Sequence, residues 1–295
     1  MTMVRRWVRL LLVMAVMVGL GGCGRGDGTE GPVSLSFVNW PAQLDGLRFR
    51  WSAEPGIDLL NGPAIPLRGY LESRDVTWLV NDAAAAYPGY DRAVVAGAPE
   101  EQTRSGLFDR NLPMKLRYVR TGSFPELTTL LFFGNVLFHV LELTPIESGY
   151  RAYVCAAHYR AFWKNKEGQF LSLARNMPDP ESLLSVAAWR VEFSDVPPVA
   201  GAPTAVTGVQ RGPNPAPLGD VFGPWQITGA SPEGAWGLLG DPSVTAELEE
   251  HDARVKLCVD RMPDSRDQIM ALISQRLDSA PSALPAVPGW PAEGL

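Results

Sequence analysis

Residues 150–163 read YRAYVCAAHYRAFW. Aromatic and β-branched side chains dominate, with Tyr153, Val154 and Cys155 at their centre, so the stretch reads as β-strand. It is longer than the ~5–6 residues of a usual strand. A strand over 150–162 should therefore bend or bulge near Ala156-Ala157, as strands do in a curved sheet. Around it lie further candidate strands at 115–120, 128–133, 136–143 and 188–194, the last with clean alternation through Val191-Glu192-Phe193. Gly134-Asn135 has the composition of a two-residue hairpin, and Glu147-Ser148-Gly149 of another turn.

Upstream, residues 33–62 also read as β. Ser34 to Val38 partly alternates, and Leu47-Arg48-Phe49-Arg50-Trp51 alternates strictly, with Pro41, Asp45-Gly46 and Pro55-Gly56 as punctuation. Residues 63–97 turn helical. Pro66 fits a first helical turn, and Leu67, Leu71, Trp78 and Leu79 recur near helical spacing. Tyr87-Pro88-Gly89-Tyr90 ends that run, with a short helix after it. Helices followed by a meander of strands predict an α+β domain over 33–195, a curved antiparallel sheet with the N-terminal helices on one face. This element order, over about 60–195, resembles the NTF2-like (SnoaL-like) cone.

Downstream, residues 196–243 are rich in Pro and Gly and predict an extended arm. Phe222, Trp225 and Trp236 are too apolar for a free linker, so the arm should pack back on the sheet, with Trp225 and Trp236 mostly buried and 200–217 loose. Residues 254–262 fit strand or helix. Residues 264–277 fit a helix capped by Asp264 or Ser265, with Ile269, Met270, Ile273 and Leu277 on one face. The expected division is a core at 33–195, an arm and helix packed on it at 196–280, and a loose Pro-rich tail at 281–295.

The N-terminus carries an address. Residues 1–9 read MTMVRRWVR, with Arg5, Arg6 and Arg9 and no acid; residues 10–20 are apolar; then comes Leu20-Gly21-Gly22-Cys23. Basic, apolar and small-residue segments in this order form a secretory signal, and the apolar part is shorter than the ~20 residues a membrane span needs. Leu20 to Cys23 resembles the lipobox of bacterial lipoproteins. The resemblance implies cleavage of 1–22, diacylglycerol on the Cys23 thiol, a flexible tether over 23–32, and a place on the extracytoplasmic face of the cell membrane. Segments 51–60, 62–68, 87–90 and 151–155 are similar to uncharacterised actinobacterial envelope lipoproteins, a likeness that implies no activity.

Composition narrows the partners. Apolar residues make up 46%, and the net charge of −6 becomes more negative once the three signal arginines leave. An acidic body argues against nucleic acid. Besides Cys23 only Cys155 and Cys258 remain, an even pair in an oxidising compartment that predicts one disulfide. Two free thiols are the plainer alternative. A zinc set of Cys155, His158, His251 and Cys258 is a third, although the 155–158 spacing puts side chains on opposite faces of a strand.

No zincin, nucleophile-elbow, penicillin-binding or phosphate-loop motif is present, no cofactor or metal is expected, and Asp109-Arg110-Asn111 lacks the acidic ladder of a calcium loop. Trp51, Tyr70, Trp78, Tyr87, Tyr90, Phe132, Tyr153, Phe162, Trp163 and Trp189 either fill a core or line an apolar pocket. A pocket would centre on Tyr70, Trp78, Tyr90, His139, His158 and Trp189. His139 and His158 are core or rim residues unless a carboxylate joins one of them, and Asp91 and Glu142 are the candidates for that role; His251 beside Glu249-Glu250 should be solvated. The reading that follows is a membrane-tethered module, non-enzymatic, binding an envelope protein or an apolar small molecule. The alternatives are a pocket enzyme using His139 or His158, and a transporter-associated solute receptor. The receptor lacks its alternating βαβ pattern.

Overall fold

A computed structural model describes residues 37–95, 98, 111–121, 130–195, 201, 203–238 and 240–293. The expected signal, Cys23, the expected 23–32 tether, the start of the strand expected from Ser34, Asp109-Arg110 and part of the strand expected at 128–133 lie outside these residues. In chain order the elements are β1 (Gly46–Ala53), α1 (Ala64–Val80), α2 (Tyr90–Ala93), α3 (Met114–Arg117), β2 (Phe132–Ile146), β3 (Gly149–Ala157), β4 (Ala161–Lys164), β5 (Phe170–Ser172), β6 (Val186–Ser194), β7 (Gln226–Ser231), α4 (Ser243–Arg261), α5 (Arg266–Ser274) and β8 (Arg276–Leu277). The fold is α+β, a curved sheet in the order β7-β6-β3-β2-β4-β5-β8. These neighbours run antiparallel. β1 lies on the other edge of β2 as a parallel partner, with Ser52 opposite His139.

Helix α1 covers one face, as expected of the N-terminal helices, and α4 and α5 cover the other. Ala152, Val154 and Ala156 of β3 and Trp189, Val191 and Phe193 of β6 join the core under α1. The intervening Cys155, Ala157, Val186 and Ala188 pack instead with Val255, Cys258 and Val259 of α4 and Ile269 and Ile273 of α5. Strands buried on both sides read as continuous apolar runs, here Val154-Cys155-Ala156-Ala157 and Val186-Ala187-Ala188-Trp189. A bulge in β2 between Val140 and Glu142 shifts the pleat by one place. Leu141 faces the α4 layer with Leu137, and beyond the bulge Leu143 faces the α1 layer. Cys155 and Cys258 are bonded, with Cα atoms 5.3 Å apart, and tie β3 to α4. Both thiols are thereby used, so the zinc set and the free-thiol alternative do not form.

Several local expectations give way to longer-range contacts. The strand expected over 150–162 is two strands, parted by a turn at His158-Tyr159-Arg160. Gly134-Asn135 is no hairpin but part of β2. Gly134 has φ +88°, and its missing Cβ leaves room for the Arg160 carbonyl, which Asn135 N–H reaches at 3.0 Å. The strand expected at 115–120 is helical at Met114–Arg117, because Pro113 precedes it and the N–H groups of Met114 and Lys115 bond the carbonyls of Gly237 and Trp236. Glu147-Ser148 is the expected turn, between β2 and β3. Residues 254–262 belong to helix α4 almost to their end, and Ser265 caps α5 in a capping box with Gln268.

The arm and tail are built into the core. β7 adds to β6, and Phe222 is fully buried. Trp225 and Trp236 are mostly buried, as expected: Trp225 lies against Tyr150 and Phe193, and Trp236 under the Arg190 guanidinium at 3.9 Å. Within the stretch expected to be loose, Gln210 and Ala216 are buried. In the tail, Val287 bridges β1 at Arg50, and Trp290 has 0% exposure. Composition suggested freedom, but a proline-rich segment lies ordered when its carbonyls find donors, as those of Gln210 and Gly289 do in Arg68.

Candidate functional site

Helix α1 is buried along its whole length except at Trp78. Its polar residues Arg68, Glu72, Arg74 and Asp75 therefore need partners inside the protein. They find them in two places, one at each end of the helix.

Near its start, Glu72 accepts from Trp51 Nε1 at 2.7 Å, Trp290 Nε1 at 2.7 Å and the Tyr87 hydroxyl at 3.0 Å. One turn earlier, Arg68 donates to the carbonyls of Leu59, Gln210 and Gly289 at 2.8–3.0 Å, with its guanidinium 4.1 Å from the Trp290 ring centre. Burial pushes the Glu72 carboxyl above its usual range, lowers Arg68 and raises the Tyr87 hydroxyl well above its ordinary value. Three donors converge on this one buried carboxylate, which does not line the cleft described next. This centre joins β1, α1, the arm and the tail, and its chemistry is that of a clasp.

Near the C-terminal end of α1, a cleft of about 80 Å³ opens between the helix and β6. Trp78, Tyr118 and Trp189 form aromatic walls, and Leu183, Leu184 and Pro232 complete the apolar lining. Asp75 Oδ2 meets His158 Nε2 at 2.9 Å, both side chains 9% exposed, and the Trp78 ring stands edge-on to the imidazole at 5.9 Å. An ionised carboxylate only accepts, so Nε2 carries the ring proton. Nδ1 is buried and has no hydrogen-bond partner among the described residues. Arg74 lies over Trp189 at 4.3 Å and donates through Nε to the Tyr118 carbonyl. The Tyr118 hydroxyl donates to Glu233. The position of His158 follows from the turn that splits β3 from β4; its own N–H bonds the Ser185 carbonyl at 3.0 Å.

Of the six residues expected around a pocket, Trp78, His158 and Trp189 line this cleft. Tyr70 and Tyr90 do not. They stack on each other at 6.1 Å and both donate to the Val119 carbonyl inside the core. Burial pushes the Tyr90 hydroxyl to about 12. His139 lies on β2, between Ser52 and Glu54, away from the cleft lining. Asp91 pairs with Arg120 on the surface, and Glu142 is exposed, so neither supplies the expected carboxylate. Asp75 does, and the sequence reading missed it. Its signal was the unusual density of charge in Glu72-Ser73-Arg74-Asp75 within an apolar helix. His251 is half-buried beside Gly234, not solvated, and burial lowers its pKa.

Trp51, Tyr87, Phe132 and Phe162 are buried core or clasp residues, while Tyr153 lies under the Arg254 guanidinium at 3.8 Å. Among the described residues no group of three or more His, Cys, Asp or Glu side chains is placed to hold a metal ion. In comparisons with known proteins, no protein family, no curated protein and no solved structure matches this chain.

Proposed function

We propose that the protein is a lipid-anchored module of the cell envelope, held through Cys23, whose cleft between α1 and β6 binds a small planar apolar ligand or the ring or chain end of a larger envelope molecule. The observation that carries this reading is the convergence of Trp78, Tyr118 and Trp189 with Leu183, Leu184 and Pro232 on one opening. Apolar walls with one or two fixed polar groups are the usual make-up of a small-molecule site. The volume of about 80 Å³ suits a ring and excludes a whole lipid. Native mass spectrometry of protein extracted from its own membrane tests the reading. A bound small molecule that is lost in Trp189→Ala supports it. A ligand-free protein, or co-extraction of a protein partner that Trp189→Ala leaves in place, overturns it.

A second reading is favoured by the Asp75–His158 pair. A histidine held by a carboxylate through one nitrogen, with the other nitrogen unbonded, is arranged as a proton acceptor. Under this reading the cleft converts its ligand. His158→Gln would then bind the ligand and return it unchanged, where the parent protein returns a product of different mass.

A further inference from the structure

Ser52, His139 and Glu54 form a hydroxyl–imidazole–carboxylate chain on the other face of the sheet. The parallel register of β1 on β2 sets Ser52 opposite His139. One residue earlier on each strand, Trp51 and Phe138 stack at 4.4 Å in the α1 core. Successive side chains point to opposite faces, so Ser52 and His139 point toward the α4 layer. There Ser52 Oγ lies 2.9 Å from His139 Nδ1 and 3.4 Å from the Phe138 carbonyl, which makes the imidazole the better acceptor. His139 Nε2 lies 3.4 Å from Glu54 Oε1, and Arg261, in the last turn of α4, hydrogen-bonds the same oxygen.

The protonation pattern follows from these contacts. The hydrogen bond from Arg261 holds the Glu54 carboxyl below its usual range, so it is charged at neutral pH and can only accept. Nε2 then carries the ring proton, Nδ1 presents its lone pair, and the Ser52 hydroxyl donates to it. His139 is 7% exposed, whereas Ser52 is open to solvent. A sheltered base beside an accessible hydroxyl, with the base oriented by a third group, is the arrangement that activates a nucleophile.

We propose that Ser52 is a nucleophile for acyl transfer, with His139 as its general base and Glu54 as the residue that positions the imidazole. Ser52 Oγ attacks the carbonyl carbon of an ester, and its proton passes to Nδ1. Collapse of the tetrahedral adduct breaks the bond to the leaving oxygen, which takes the proton from Nδ1. Water then attacks the acyl-serine and gives a proton to Nδ1, the acid departs, and Ser52 Oγ recovers that proton. A nucleophile on an open face gains little from desolvation. The substrate class is therefore an ester with a good leaving group, such as an aryl ester, rather than a peptide.

The experiment uses the full-length protein in detergent, treated with an alkyl fluorophosphonate, in which Ser52 Oγ would displace fluoride. Peptide mass spectrometry should find the phosphonyl group on Ser52. Ser52→Ala should lose the adduct. His139→Gln should label at least a hundredfold more slowly, and Glu54→Gln at least tenfold more slowly with an altered pH profile, because the imidazolium formed during attack has lost its carboxylate. A urea-unfolding transition like the parent's in each variant reports that the fold is intact. Aryl acetate hydrolysis should follow the labelling. An unlabelled Ser52 in the parent protein, while a control serine hydrolase labels fully, overturns the proposal. So does labelling at another residue only, or equal labelling of Ser52 in a folded His139→Gln variant.

Discussion

Trp290 donates its indole N–H to Glu72 at 2.7 Å across 218 residues of chain. The same ring lies on Arg68, which holds the carbonyl of Gly289. The tail is thus fixed by a charge-assisted hydrogen bond, a cation–π contact and a backbone clamp at consecutive residues.

Trp290→Ala should therefore be a core mutation despite its place in a proline-rich tail. Removing a fully buried tryptophan typically costs about 3–5 kcal/mol, and Glu72 would lose one of its donors. Urea unfolding followed by tryptophan emission measures this. A change below about 1 kcal/mol would mean that the tail does not contribute to the core.

Reducing the Cys155–Cys258 bond should loosen α4 and α5 from the sheet. The bond closes a span of 103 residues. Loss of such a bond typically costs about 2–5 kcal/mol. The double variant Cys155→Ser, Cys258→Ser should unfold at lower urea. Hydrogen exchange should rise first in α4, while β2 and β3 stay protected.

Asp264 supplies an acid-sensitive contribution. It accepts from Tyr159 at 2.7 Å and from Arg160 at 2.5 Å, and the Arg160 bond holds its carboxyl below the usual range. A carboxyl lowered in the folded state stabilises above its unfolded pKa of about 3.9, and loses that contribution as pH falls through the folded value. Asp264→Asn should cost about 1–2 kcal/mol at pH 7, toward the lower end because the Arg160 side chain is 38% exposed. The difference in melting temperature between parent and variant should shrink as the pH is taken below about 4. An equal difference at every pH would assign the effect to packing.

Cys23→Ala should abolish lipid attachment. Metabolic labelling with a fatty-acid analogue should mark the parent protein and leave the variant unmarked and uncleaved. Unchanged labelling would end the anchoring proposal.

The sheet was legible in the sequence where one face is polar. Leu47 to Trp51 and Val191 to Phe193 alternate, and they lie in β1 and β6. It was illegible where both faces are covered, because Val154 to Ala157 carries no period from which a second helical layer could be inferred. α1 was visible from its leucines but not its function, since a helix buried on every side has no polar face to mark the site. Trp78, His158 and Trp189 were recognisable as residue types. Asp75 was not, because its partner is brought by a turn 83 residues away. The pairing of Cys155 with Cys258 needed only counting.

The clasp also has a kinetic meaning. Glu72 gains its three donors only when Trp51, Tyr87 and Trp290 have all arrived, and Arg68 its three acceptors only when the carbonyls of Leu59, Gln210 and Gly289 have. No N-terminal fragment that stops short of Trp290 can close this centre. Contacts of such long sequence separation make folding slow. Arg68 and Glu72 therefore wait for partners supplied from Gly289 and Trp290, and the centre takes its final form only once Trp290 has been made.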